Sequence, residues 1–316
     1  MSTTPAPSTI LTNDDAIRYL VAHGDDEEFS TSEYWREHKQ WFKIDASGKV
    51  EGNSVLGNVS PRRSFIYAVL HRIFQFPLKR LGRQYRDLGA CEKIGRAVAR
   101  RRQQQFTYDT LRHVFSLALI RQHCKDVTQN STSLVIGDGF GIMASLLLAC
   151  HPSNRVLVVN LTKSLALDLV YLQRAFPDAE TALVLDRESM RAALENTDVR
   201  VIAVQADNAD LLAQASFQLV VNIVSMQEMD LPVISRYFDV IRNNPSPSTY
   251  FYCCNRRFKT SNFEEYPWRD GDNILEEGIC EWSQRYYSNR PPFMHKRDYG
   301  KKVVLHRLVK MEKNHE

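Results

Sequence analysis

No run of apolar residues in this 316-residue chain approaches the roughly 18 needed to cross a bilayer. The opening MSTTPAPSTI also lacks the basic start and apolar block of a secretion signal. A membrane-spanning or exported protein is thereby disfavoured, and a cytoplasmic location is expected. The six cysteines (Cys91, Cys124, Cys150, Cys253, Cys254, Cys280) form no Cys-x-x-Cys pair and match no histidine spacing. Structural zinc and a disulfide framework are both disfavoured, leaving buried free thiols. No internal repeat is visible, and low complexity ends with the first dozen residues. A net charge of +4 says little by itself.

What is present is enough for a real core. Hydrophobic residues make up 43% of the chain, and its length has room for one large α/β domain with a smaller appendage. Residues 1–12 are rich in Ser, Thr and Pro and read as a disordered tail. Residues 13–130 read as a helical N-terminal region that caps the rest or acts as a lid. Within it, 14–23 fits a short helix, and SEYWREHKQWF from Ser32 opens on a cap-like serine and carries Tyr34, Trp35, Trp41 and Phe42 at amphipathic spacing. That stripe could pack against the main domain or cover a ligand, which makes Tyr34 and Trp35 candidate substrate contacts. Residues 64–124 also follow helical periodicity. Across 61–102, twelve Lys and Arg face two acids, +10 in 42 residues. Such a stretch could meet the phosphates of a nucleotide-linked substrate, nucleic acid or an acidic partner, or it could be a solvated helix face.

After a polar boundary at 126–131, strand-like and helix-like segments alternate. Strands are expected at 134–136, 155–161, 200–206, 217–224 and 249–254, with helices at 142–150, 164–176 and 231–242; the run 181–185 fits no single assignment. This alternation predicts a Rossmann-like, doubly wound, mostly parallel sheet over 131–316, with ligands at the carboxyl ends of its strands. Function should then gather at 137–141, 160–163, 207–208, 222–229 and from Asn255 onward. The segment 256–297 is irregular and aromatic-rich, and KKVVLHRLV at 301–309 reads as a closing strand.

The centre of this pattern is SLVIGDGFGIMASLLLAC at 133–150, where Gly137, Gly139 and Gly141 separate a strand from a helix. Glycine permits positive φ and close backbone approach to a ligand, and a helix starting there aims unpaired N–H groups at whatever lies above. The Gly-x-Gly-x-Gly spacing differs from the Gly-x-Gly-x-x-Gly dinucleotide fingerprint and lacks the Lys-Ser/Thr of a phosphate loop. Such glycines can also simply pack the strand against the helix.

Taken together, SEYW (32–35), IGDGFG (136–141), the turn Asn160 and Leu161, YLQRAFPD (171–178), NIVSMQEM (222–229) and YFYCCN (250–255) resemble the class I S-adenosylmethionine-dependent methyltransferases, and more narrowly a bacterial sugar O-methyltransferase family. The resemblance implies the class I methyltransferase form of the Rossmann-like sheet. It also implies that Gly137, Asp138, Gly139 and Gly141 line the methionine and ribose end of the cofactor. Asn160 and Leu161 would meet the ribose, Asp207 or Asn208 the adenine, and Asn222 would complete the cofactor set. Val135, Asn160 and Gln218 stand where many class I methyltransferases carry acids. An amide at 160 can accept one hydroxyl and donate to another, without charge-assisted strength.

The implied reaction is in-line transfer of a methyl group to a hydroxyl of a sugar or sugar-bearing small molecule or glycan. A general base would assist it. Glu228 is the candidate base, although a carboxylate ahead of the helix at 231 could instead serve that helix's dipole or be tied to a nearby arginine. Ser225, Gln227, Asn222 and Asn255 could hydrogen-bond a polyhydroxylated acceptor, and Trp268, Trp282, Tyr286 and Tyr287 offer faces for a sugar ring or sites in a core. No metal site is specified, so a divalent-metal requirement stays open. The alternative is an RNA methyltransferase or a non-catalytic nucleotide- or nucleic-acid-binding protein of the same fold. It is disfavoured because the aromatics collect in the C-terminal third, away from the basic run.

Overall fold

The computed structural model describes residues 10–45, 49–52, 69, 72–73, 75–287 and 302–314. The first half of the chain comprises β1 (Leu11–Thr12), α1 (Asn13–Ala22), α2 (Glu33–His38), β2 (Phe42–Ile44), β3 (Val50–Gly52), α3 (Leu88–Arg101) and α4 (Tyr108–Cys124). There follow β4 (Thr132–Ile136), α5 (Ile142–Cys150), β5 (Arg155–Asn160), α6 (Thr162–Ala175), β6 (Glu180–Val184), α7 (Arg187–Glu195), β7 (Val199–Gln205) and β8 (Leu219–Ile223). The last elements are α8 (Leu231–Arg242), β9 (Tyr250–Arg256), β10 (Asn273–Ile279), α9 (Glu281–Tyr287) and β11 (Val304–Lys310).

The expected doubly wound sheet is present, with strand order β1-β6-β7-β5-β4-β8-β9-β11-β10 among the described residues. From β6 to β9 every neighbouring pair is parallel. β1, pairing with β6, and the β11–β10 pair beyond β9 are antiparallel edges. The chain leaves β4 for β5 on one flank and returns as β8 on the other. The carboxyl end of β4, where the glycines lie, is therefore the switch point of the sheet.

Alternation along the strands sorts the core into two layers. Val135, Val158, Val221 and Tyr252 face α1 and α3 to α6. Ile136, Val159, Val220 and Phe251 face α7 and α8. β-branched side chains suit strands covered on both faces, which is why these runs read so continuously apolar. All six cysteines are free thiols, five of them buried, and no described helix is long and apolar enough to cross a membrane.

The N-terminal part departs from expectation in three ways. The aromatic helix ends at His38, because Tyr34 stacks on His38 and His38 on Trp41, at 4.0 and 4.2 Å between centroids, while Phe42 turns inward to start a hairpin. α2 buries none of its residues, so its stripe is not a core stripe. Residues 11 and 12 form β1 against β6, whereas 1–12 read as a disordered tail; residues 1–9 lie outside the described set. The ambiguous run at 181–185 is β6. The strand β10 escaped prediction because it is an edge strand with mostly exposed residues and no alternation.

Candidate functional site

All three glycines of the turn have positive φ: 67° at Gly137, 79° at Gly139 and 59° at Gly141. Their tasks differ. A Cβ on Gly137 would run into the Ser225 side chain, so this glycine lets the end of β4 touch the turn after β8. A Cβ on Gly141 would lie 2.9 Å from the Asp168 carbonyl, which makes Gly141 a packing glycine between α5 and α6. Only Gly137 and Gly139 line the cleft above. Between them, the Asp138 carboxylate accepts the Met143 and Ala144 amides at 2.9 and 2.7 Å. It satisfies the start of α5 that was expected to aim at a ligand.

Beneath the turn lies a buried polar layer. Asp168 accepts the Gly141 amide and the Asn160 side-chain amide, both at 2.8 Å. Arg102 donates to the Phe140 carbonyl and lies over the Tyr171 ring, 4.7 Å from its centroid. Burial raises the proton affinity of both Asp138 and Asp168, and for Asp168 the neighbouring Asp138 adds to it; Arg102 opposes the rise. Burial lowers the Arg102 pKa to about 10. The basic stretch is thus not one solvated face. Arg102 supports the turn, and Lys79 and Arg96 share Glu92 at 2.6 and 2.7 Å. Arg62 and Arg63 lie outside the described residues.

The cleft encloses about 990 Å³ of atom-free space, the open solvent at its mouth included. Asn160 and Leu161 line it at the end of β5. Asp207 and Asn208 do not. Instead, the Asp207 carboxylate accepts the Phe29 and Ser30 amides, both at 2.8 Å, and fastens the segment before α2 to the end of β7. Glu28 adds a second fastening by accepting the amide and hydroxyl of Thr162, both at 2.8 Å.

The opposite wall begins at Val224, a β-branched residue held at φ 64°, a rare conformation for such a side chain. Its amide donates to the Cys254 carbonyl at 2.7 Å. Asn222 and Asn255, expected to meet ligands, are fully buried. Asn222 donates to the Ile136 carbonyl and accepts the Met226 amide and the Asn255 side chain. Asn255 in turn accepts the Gln227 amide. These two amides lock the 224–229 turn to β4 and β9 and are consumed by that task. Ser225, Gln227 and Glu228 line the cleft, as do Tyr34 and Trp35 from α2. The Gln227 side-chain oxygen accepts the Arg256 amide.

Glu228 is paired with Lys259, Nζ to Oε1 2.5 Å, and the same ammonium lies 3.5 Å from the centroid of the Tyr34 ring. Burial raises the Glu228 pKa while Lys259 works against that rise. Burial lowers the Lys259 pKa and, with Glu228, lifts that of Tyr34 to about 12. Helix α8 has Asp230 at its cap position, and Glu228 gives its carboxylate to Lys259. Lys259, Arg256 and Arg112 line the cleft and were not anticipated. No short-range spacing links them to Glu228; the return of β9 beside β8 brings Arg256 and Lys259 there, and α4 carries Arg112.

Neither tryptophan expected to stack a sugar reaches the cleft. Trp268 sits with Phe238, Phe251 and Phe263 in the layer under α8 and donates to the Phe263 carbonyl. Trp282 is buried on the other face of the sheet, edge-on to Phe115 and His306, and donates to Ser116. Trp282 is a core residue and Trp268, partly buried, packs against the other core layer, because sheet faces, not loops, receive them. The side chains of Tyr286 and Tyr287 lie outside the described residues. His113 is likewise a core residue, with burial lowering its pKa to about 4. Among the described residues, no group of three or more His, Cys, Asp or Glu could hold a metal ion.

No family model and no curated protein matches this chain. Solved structures similar to it include the pyocyanin biosynthetic protein PhzM, at 12% identity over 62% of this chain and 58% of that one, with a TM-score of 0.33. Phosphoethanolamine N-methyltransferase 2 of Haemonchus contortus, in complex with S-adenosyl-L-methionine, is 13% identical over 63% of this chain and 52% of its own, with a TM-score of 0.38. TrmN from Thermus thermophilus is 13% identical over 63% and 48%, with a TM-score of 0.35. The chain spans about half the length of these proteins. At such identities and scores the likenesses say nothing about what this chain binds.

Proposed function

We propose that the chain is an S-adenosylmethionine-dependent O-methyltransferase acting on a hydroxyl of a sugar or sugar-bearing small molecule. The observation that carries this reading is the meeting of two features across one cleft at the switch point of the sheet: the positive-φ glycines 137 and 139, and the largely buried carboxylate of Glu228. Strand ends at such a point are where α/β sheets take ligands.

The residues present fit the cofactor. Leu161, Ala206, Val233 and Tyr237 line the cleft with apolar surface for a base, and Asn160, its side-chain N–H given to Asp168, has an oxygen at the end of β5 that can accept from a ribose hydroxyl. Ser30 and Ser32 line the same cleft, and their buried hydroxyls have no protein partner. When bound, S-adenosylmethionine supplies an electrophilic methyl group. Glu228 takes the proton of the acceptor hydroxyl, and two opposing influences suit it to that task. Burial raises its proton affinity, while Lys259 favours the ionised carboxylate. Ser225 and Gln227 add polar surface for a hydroxyl-rich acceptor, and the Tyr34 ring holds Lys259 from above. The nucleic-acid alternative rests on the basic stretch alone, in which Lys79 and Arg96 are paired and Arg102 is internal, while Arg72, Arg80, Arg83, Arg86, Lys93, Arg100 and Arg101 are exposed.

Calorimetry with S-adenosylhomocysteine tests the cofactor, with binding expected at micromolar ligand. A folded sample that binds none at high micromolar concentration overturns the reading. Transfer of labelled methyl to a panel of monosaccharides and nucleotide sugars tests the acceptor class.

A further inference from the structure

The segment 28–32 crosses the cleft without belonging to a helix or strand, yet it is held at both sides. Asp207 accepts two of its amides, and the Glu28 carboxylate returns two bonds to Thr162 at the start of α6. Held so, it buries three consecutive hydroxyl side chains, Ser30, Thr31 and Ser32, and none of the three has a hydrogen-bond partner. An unpaired buried hydroxyl is costly, about 1–3 kcal/mol each. Two of them, Ser30 at 7% and Ser32 at 2% exposure, line the ligand cleft.

Ser32 makes the anomaly plain. It stands directly before α2, its carbonyl accepts the Arg36 amide at 3.0 Å, and a serine there ordinarily turns its hydroxyl to the free amides of the first turn. Here the hydroxyl takes no such bond.

We infer that Ser30 and Ser32 are ligand-binding residues, whose hydroxyls pair with the polar groups of the nucleoside thioether seated on the glycine turn. Asp207 and Glu28 are the positioning residues that hold the segment over it. The inference rests on the cofactor reading above. It reassigns Asp207 from the adenine itself to the strap that covers it. It also supplies polar contacts at a site where the usual carboxylate after the second strand of the parallel sheet is replaced by Asn160, an amide already tied to Asp168.

The test uses the full chain, calorimetry with S-adenosylhomocysteine, and thermal melts of the ligand-free protein. Ser30→Ala and Ser32→Ala are each expected to weaken binding about five- to tenfold, the worth of one hydrogen bond. The double variant should lose about 30-fold or more, while the ligand-free melting temperature stays level or rises because an unpaired polar group has been removed. A structural role would instead lower the melting temperature and leave affinity alone. Hydrogen exchange gives a second readout: the Phe29 and Ser30 amides should gain protection on adding ligand in the wild type and less in the double variant. Unchanged affinity in the double variant overturns the inference. Failure of the wild type to bind overturns the cofactor reading instead, so the two failures are told apart.

Discussion

The two walls of the cleft are built on different principles. One wall, from Gly137 through Leu161, is made by backbone: strand ends, positive-φ glycines and a capped helix, contributed by neighbouring parallel strands. The other is made by side chains that arrive from separate places, Tyr34 and Trp35 on α2, Arg112 on α4, Glu228 after β8, and Arg256 and Lys259 at and beyond the end of β9. A backbone wall is rigid and indifferent to all but a few residue types. A side-chain wall can change its chemistry without disturbing the fold. The first is suited to a constant ligand and the second to a particular acceptor.

The sharpest way to break this division is to give the backbone wall a side chain. Gly139 combines φ 79° with a place on the cleft surface. Gly139→Val is therefore expected to abolish S-adenosylhomocysteine binding measured by calorimetry and to lower stability by about 1–3 kcal/mol through backbone strain. Retained affinity would mean that the ligand does not lie on this turn. The other wall should fail differently. Glu228→Gln is expected to leave cofactor affinity within about twofold while slowing turnover by about 10² or more, as for loss of a general base. Unchanged turnover would remove Glu228 from that role.

Lys259 sharpens the comparison through pH. Its ammonium favours the ionised form of Glu228, so removing it lets burial act unopposed and raises the Glu228 pKa further. The base form then requires higher pH. Lys259→Met should shift the acidic limb of the kcat profile upward and lower turnover about tenfold at neutral pH, with a smaller effect well above the limb. A limb that stays in place would show that Glu228 is not the group that titrates.

The same division explains what could be read in advance. Three glycines in five residues between an apolar run and a helix mark the backbone wall, because the conformation needed there is one that few residue types adopt. The alternation of strands and helices placed the polar strand ends at one edge of the sheet. The roles of those polar residues were less legible. Asp207 and Asn160 stand where expected, yet the partners that consume their polar atoms, Phe29, Ser30 and Asp168, come from elsewhere in the chain. Asn222 and Asn255 read as ligand contacts but are spent on each other and on the turn. Trp268 and Trp282 read as platforms because exposure is not written in a sequence; the two faces of the sheet claim them. Lys259 carries no local signal at all, since its meaning lies in a partner 31 residues away.

The smallest effect is expected at Val224, where the two walls join. Its φ of 64° costs about 1–3 kcal/mol for a β-branched residue, and the turn it opens carries Ser225, Gln227 and Glu228 into the cleft. Glycine at this position removes the steric cost but adds about 0.5–1 kcal/mol of chain entropy to be lost on folding. With the packing of the half-buried valine side chain also lost, Val224→Gly should change stability by no more than about 1 kcal/mol in either direction, read from chemical denaturation. If the constraint is what aims Glu228, turnover should fall about three- to tenfold with cofactor affinity unchanged. A marked loss of stability would show instead that packing of the valine side chain, rather than the aim of the turn, keeps this residue in its strained conformation.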